Sequence, residues 1–327
     1  NSTSGEMYVL TDATTNANIW INIGTGEGAI AKAFGGRGPG TIAGFASGGF
    51  GSPTYYNIID KYTFGSSANA TDHGDLTTTK RAATGHSSAT EGFVSGGSYA
   101  TAPNYYNTID KFTFASTGNA TDHGDLTGIR GYGAGSSSHT DGYNSGGAGP
   151  SDLSTIDKFA FASNVTATSH GNLQSARYDG TGSSSPTHGF SVGGYETSIP
   201  ATIPTIDKFA FASNVTAADH GDLSVTRNAN GGHSSDTDGY CVSGTSNLDV
   251  IDKFAFSSNT TATDHGNLTV GRHYPSGSSS TTHGYSAGGG GTSNVIDKFP
   301  YASNAGATDH GDLTVGRERA CSEGQQY

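Results

Sequence analysis

The chain has 327 residues, 51 of them glycine and only 9 proline, with a net charge of −12. That charge argues against a nucleic-acid partner, because 13 of the 16 basic residues belong to a repeated pattern and leave no free cluster to neutralise phosphates. No apolar run approaches the roughly 20 residues of a membrane-spanning helix, so membrane insertion is not expected.

Residues 1–36 carry none of the repeated phrases. They read as two strands, Met7 to Thr11 and Ile19 to Ile23, joined by an Asp/Thr/Asn turn. The Gly5-x-x-Tyr8-x-x-Thr11-Asp12 spacing resembles the short hairpins that precede receptor-binding parts of bacteriophage tail and fibre proteins. The resemblance implies an attachment segment and a place on a virion, outside the cell. Asn1 in place of an initiating methionine is expected of a processed or partial product of a longer polypeptide.

From residue 37 the chain reads as one unit repeated six times: a Gly-aromatic-x-x-Gly-Gly phrase, an Ile-Asp-Lys-aromatic phrase, and a Gly-Asp/Asn-Leu phrase closing on an arginine. The aspartates Asp60, Asp110, Asp157, Asp207, Asp252 and Asp297 are spaced by 50, 47, 50, 45 and 45 residues. Such periods belong to propellers or solenoids. Regularly placed Phe, Tyr, Ile and Leu give every unit an apolar set to bury, which opposes disorder despite the Gly and Ser content.

In the unit opening at Arg177 the expected strands are Thr181–Ser185, Gly189–Val192, Ile206–Phe211 and about Asp222–Thr226. On the third, Asp207, Phe209 and Phe211 share one face and Ile206, Lys208 and Ala210 the other. Neither face is purely polar, as in a strand sandwiched between sheets. Four strands per unit fit a propeller blade, and no stretch holds apolar residues at helical spacing. The glycine doublets Gly96-Gly97, Gly146-Gly147, Gly193-Gly194 and Gly288-Gly289, with an arginine closing each unit, resemble the kelch motif. The array is similar to a kelch or galactose-oxidase-type propeller over residues 37–327, although the kelch tryptophan is absent and the one tryptophan is Trp20.

Unit one is short: Arg37 to Phe45 is eight residues where Arg81 to Phe93 is twelve. The tail from Arg317 to Tyr327 begins as every unit begins and then stops. The tail is therefore expected to supply the missing first strand of blade one and close six blades, removing two sheet edges. A lost seventh blade would leave the short first unit without a reason. The expected fold is all-β, a six-bladed propeller of four-stranded antiparallel blades.

Candidate chemistry is mostly repeat. His73, His123, His170, His220, His265 and His310 each stand two residues before an Asp or Asn, one per blade, and cannot converge; they are expected in tight turns. The repeated aspartates are expected to pair with the repeated cations, assigned as Arg81, Arg130, Arg177, Arg227, Arg272 and Arg317, across partly buried blade contacts. Asn69, Asn119, Asn164, Asn214 and Asn259 open Asn-x-Thr triplets in one recurring loop and are read as turns. Cys241 and Cys321 make no metal or redox spacing and are expected as buried thiols.

The units differ most between their second and third strands. These loops hold Tyr55, Tyr56, Tyr99, Tyr105, Tyr106 and Tyr195, rigid amphipathic side chains suited to protein and sugar surfaces. They are the candidate ligand-binding residues. The expected function is a non-enzymatic virion adhesion or structural module that contacts a host glycan, a host protein or another virion protein, with homo-oligomers possible. No catalytic residue, metal or cofactor is expected. The alternatives are a decoration protein and a galactose-oxidase-like or glycosidase-type enzyme. The oxidase has only Cys241 beside Tyr240 to recommend it, and the glycosidase needs a unique carboxylate pair where most acids are repeat copies.

Overall fold

The computed structural model describes residues 7–12, 19–24, 42–99 and 104–325, with 7–12, 19–24 and 323–325 in backbone only. Arg37 and the tip of the long loop after Tyr99 lie outside the described residues. The chain divides into two units, Asn1–Gly35 and Gly36–Tyr327. In the first, Met7–Asp12 pairs antiparallel with Ile19–Gly24.

The described part of the second unit holds six four-stranded antiparallel sheets and two short two-stranded ones, Phe50–Gly51 with Thr54–Tyr55 and Tyr195–Glu196 with Ala201–Thr202, and no helix. Blade 2 runs Thr84–Ser87, Glu91–Ser95, Thr108–Thr113 and Thr121–Asp125 from the inside outward, and blade 4 runs Thr181–Ser184, His188–Val192, Thr205–Ala210 and Ala218–Asp222. Blades 3, 5 and 6 repeat this order, with inner strands Ala134–Ser137, Gly231–Ser234 and Ser276–Ser279. Blade 1 takes its inner strand from the other end of the chain: Cys321–Gln325 pairs with Ala43–Ser47, from Ala43 opposite Gln325 to Ser47 opposite Cys321. Ile58–Thr63 and Thr71–Asp75 complete that sheet. The tail thus closes the circle, and the short first unit is explained.

The core is not one cluster but six, each between neighbouring blades. Every interface holds the same stacked ring pair: Phe45 on Phe114, Phe93 on Phe161, Tyr143 on Phe211, Phe190 on Phe256, Tyr240 on Tyr301 and, across the closure, Tyr285 on Phe64. Centroids lie 4.5 to 4.9 Å apart. Both faces of each blade are therefore buried, which is why the Ile-Asp-Lys-aromatic strand alternates without a polar face.

The fourth strand departs from expectation. It is Ala218–Asp222 in blade 4, several residues earlier than the stretch from Asp222 to Thr226. The Asp-His-Gly phrase is thus an outer strand rather than a turn. A bulge makes this possible: Thr205 faces Asp222 but Asp207 faces Asp219, so the outer strand carries one extra residue. Gly221 takes it up at φ +103°, and the Asp219 carboxylate accepts the Gly221 N–H at 3.1 Å. The following residues connect to the next blade, with Leu223 buried.

Candidate functional site

The repeated polar residues hold blades together. Arg130 reaches Asp157 at 3.0 Å, Arg177 reaches Asp207 at 3.0 Å, Arg272 reaches Asp297 at 2.9 Å and Arg317 reaches Asp60 at 2.9 Å; Arg227 pairs with Asp252 likewise. Each aspartate also accepts hydrogen bonds from the residue after the repeat leucine of the preceding unit, as Asp60 does from the Thr314 N–H and hydroxyl. Burial pulls the Arg130, Arg177 and Arg272 guanidinium groups below their usual value, opposed by the paired carboxylates.

Arg81 does not belong to this set. The partner of Asp110 is Lys80, at 3.2 Å, while the Arg81 guanidinium lies over the Phe50 and Tyr55 rings at 5.0 and 5.3 Å. Counting from the repeat leucine finds the correct residue: Leu76 to Lys80 is the same four-residue step as Leu126 to Arg130.

The six outer-strand histidines sit in six different interfaces. Each Nε2 meets a carbonyl at the end of the next blade's third strand, from His73 on Thr113 at 2.8 Å to His310 on Thr63 at 2.8 Å. Among the described residues no three His, Cys, Asp or Glu side chains come together as a metal-binding group. The Asn-x-Thr asparagines clasp the neighbouring blade: Asn164 donates to the Asp122 carbonyl at 3.3 Å and Asn214 to that of Ser169 at 3.1 Å. Cys241 and Cys321 are buried free thiols, and burial pushes the Cys241 thiol up to about 12.

The six candidate tyrosines fall into separate groups. Tyr55 stacks between Phe50 and Tyr99, at 4.8 and 4.9 Å, across blades 1 and 2. Tyr195 joins Tyr178 at 5.5 Å, and Tyr178 in turn meets Tyr132 at 6.3 Å. Tyr106 lies under the Lys80 ammonium at 5.5 Å, while Tyr56 and Tyr105 are half-buried against Gly51 and Gly131. Only Tyr99 is largely exposed, at 47%.

A second set of unlike residues meets at the axis. Two positions after each repeat cation stands a residue with φ between +52° and +60°: Ala82, Tyr132, Asp179, Ala229, Tyr274 and Arg319. Residues with a Cβ rarely adopt this conformation. It is held here by a closed circle of backbone hydrogen bonds, blade to blade. The Tyr132 N–H donates to Ala82 O at 2.8 Å, Asp179 to Tyr132 at 3.0 Å, Ala229 to Asp179 at 2.8 Å, Tyr274 to Ala229 at 2.7 Å, Arg319 to Tyr274 at 3.1 Å and Ala82 to Arg319 at 2.9 Å. This ring frames the mouth of an axial cavity of about 160 Å³ whose walls are the inner strands of all six blades.

The ring is symmetric in backbone and asymmetric in side chains. The Tyr274 hydroxyl reaches past blade 5 to donate to Asp179 Oδ2 at 2.7 Å, and the Arg319 guanidinium stacks 4.0 Å from the Tyr274 ring centroid. Glu318 takes the Arg319 guanidinium on one oxygen and the Gly291 N–H, at 2.9 Å, on the other. Burial pushes the Asp179 carboxyl up to about 6, against the Tyr274 hydrogen bond and the Arg319 charge, which draw it back. Sequence reading overlooked this ring, although the signal was present. From one to three residues past the repeat cation the copies diverge, and at the second position they read Ala, Tyr, Asp, Ala, Tyr, Arg.

The opposite end is uniform. In blades 2 to 6 the turn after the inner strand uses one serine hydroxyl as an acceptor, from Glu91 N–H to Ser88 at 2.9 Å to His283 N–H to Ser280 at 3.0 Å. No protein-family model matches the chain, and no curated protein matches it in sequence.

Proposed function

We propose that the protein is a recognition module without catalytic activity, which binds a host-surface glycan or protein, or a neighbouring virion protein, through the end of the propeller that carries the 2–3 loops and the axial mouth. One observation carries this reading: the six copies diverge at that end and agree at the other. Selection for packing alone would leave both ends alike, because both are built on the same strands and the same interfaces. Tyrosine supplies large contact area at low entropic cost, which suits that end to recognition. The setting proposed is a bacteriophage particle, on the likeness of residues 5–12 to tail and fibre hairpins and of the array to kelch-type propellers. An antibody to the chain is expected to label particles; label confined to free protein would contradict that setting.

The binding test compares faces. Full-length protein is applied to bacterial cells before and after enzymatic removal of surface polysaccharide. Tyr99→Ser with Tyr195→Ser is expected to lower binding, whereas Val165→Ser with Val215→Ser, exposed by 53 and 54% in the uniform 3–4 loops, is expected to leave it unchanged. Equal loss from both pairs, or from neither, would sink the assignment of the face.

A further inference from the structure

The cavity inside the ring carries polar groups that the protein does not satisfy. Asp179 is 8% exposed, and its Oδ2 accepts the Tyr274 hydroxyl proton. Arg319 Nε and Ser322 Oγ, both from the closing tail, are buried without a hydrogen-bond partner. All three residues line the same cavity, together with Thr84, Thr181, Tyr132, Tyr274 and Asn230, whose amide atoms are also unpaired. Buried polar groups are ordinarily paired, so a cluster of unpaired ones at a cavity wall points to something that enters it.

The chemistry of the entrant follows from the set. An anion would be drawn to Arg319 and repelled by Asp179 and Glu318; a cation would face the reverse. A hydroxyl group donates and accepts at once, and so matches a carboxylate, an unpaired guanidinium N–H and a serine together. An aromatic rim suits the C–H face of a ring. At about 160 Å³ the space is large enough for several waters or a small ring.

We infer that the axial mouth is a pocket for one neutral, hydroxyl-rich ring, the chemistry of a non-ionic monosaccharide unit, with the Asp179 carboxylate, Arg319 Nε and Ser322 Oγ as its polar contacts and Tyr274 and Tyr132 as its rim. This rests on the reading of that end as the recognition face and names a ligand class for it. Because Ala82 shares its backbone conformation with Tyr132 and Tyr274, at φ +52° against +60° and +54°, a tyrosine there fits the backbone and fills the mouth.

The experiment titrates the full chain with methyl glycosides of glucose, galactose, mannose, rhamnose and N-acetylglucosamine, with methyl glucuronoside and methyl glucosaminide as charged probes, read by saturation-transfer NMR. At least one neutral glycoside is expected to bind. Ala82→Tyr and Asp179→Asn are each expected to weaken it about tenfold or more, the loss of roughly one good hydrogen bond or of the space itself. Tyr99→Ser is expected to leave it unchanged, and an unaltered melting transition in Ala82→Tyr certifies the fold. If no glycoside binds, if a charged one binds best, or if Ala82→Tyr binds as well as the parent, the pocket is overturned. The recognition face falls separately, through the cell-binding comparison, since cells lost by the Tyr99 and Tyr195 substitutions need no axial ligand.

Discussion

His86 and His233 stand where Ser136, Ser183 and Ser278 stand in other blades, on the strands around the axis. Each is buried, with Nδ1 against the next blade's carbonyl, at 3.2 Å for His86 and 2.9 Å for His233, and Nε2 against a serine hydroxyl. Burial pulls both imidazoles down to about 4, from 6.5. The folded protein therefore stays neutral at these sites while the unfolded chain takes up protons below pH 6.5. Stability is lost as pH falls from 6.5 to 4, by up to about 3 kcal/mol per histidine. His86→Ser with His233→Ser is expected to flatten denaturant midpoints across that window; an unchanged slope would contradict the burial. Asp179 acts in the other direction. Its carboxyl is raised to about 6 from 3.8, so its cost is complete above pH 6 and relieved toward pH 4. Asp179→Asn is expected to stabilise by on the order of 3 kcal/mol at pH 7.5 and by little at pH 4, measured as unfolding free energy. A gain equal at both pH values would show that the carboxylate is not desolvated.

At the scale of the element, the outer strand is the part of the blade that sequence reading placed wrongly, and the reason is physical. Its residues are mostly exposed and polar, with only His220 buried in blade 4, so no period-two apolar signal marks it. The bulge glycine imitates a turn. A Cβ at Gly221 would lie 2.5 Å from the Thr260 carbonyl of the next blade, at a φ of +103°. Gly221→Ala is thus expected to destabilise by about 2 kcal/mol or more in chemical denaturation; a cost below that of an ordinary surface substitution would contradict the tight blade contact. The other three strands were legible, because the stacked rings and the Ile-Asp-Lys phrase repeat with the core. The interblade pairs are costlier to break than any turn. Asp252→Asn would strand the fully buried Arg227 and is expected to cost about 3 to 5 kcal/mol in the same assay.

The second unit is a ring whose first and last strands meet in blade 1 and whose differences gather at one end. The periodicity disclosed the blade count, and the short first unit disclosed the closure, because both are properties of the core and its edges. The axial ring was not legible by the same means. Its residues are brought together by the circle and not by their neighbours in sequence: Asp179 and Tyr274 meet across 95 residues, and Arg319 arrives from the tail. Repeat logic hides such a site, since it teaches the reader to discount positions inside the repeat. The closing strand is therefore central to both fold and site. It supplies the inner strand of blade 1, the Arg319 link in the backbone ring and the unpaired Arg319 Nε and Ser322 Oγ at the cavity. The direct test is calorimetry of the full chain against a chain ending at Arg317. The account predicts loss of the cooperative transition or a large fall in melting temperature on removal of residues 318–327, whereas an unchanged transition would contradict a ring closed by its own tail.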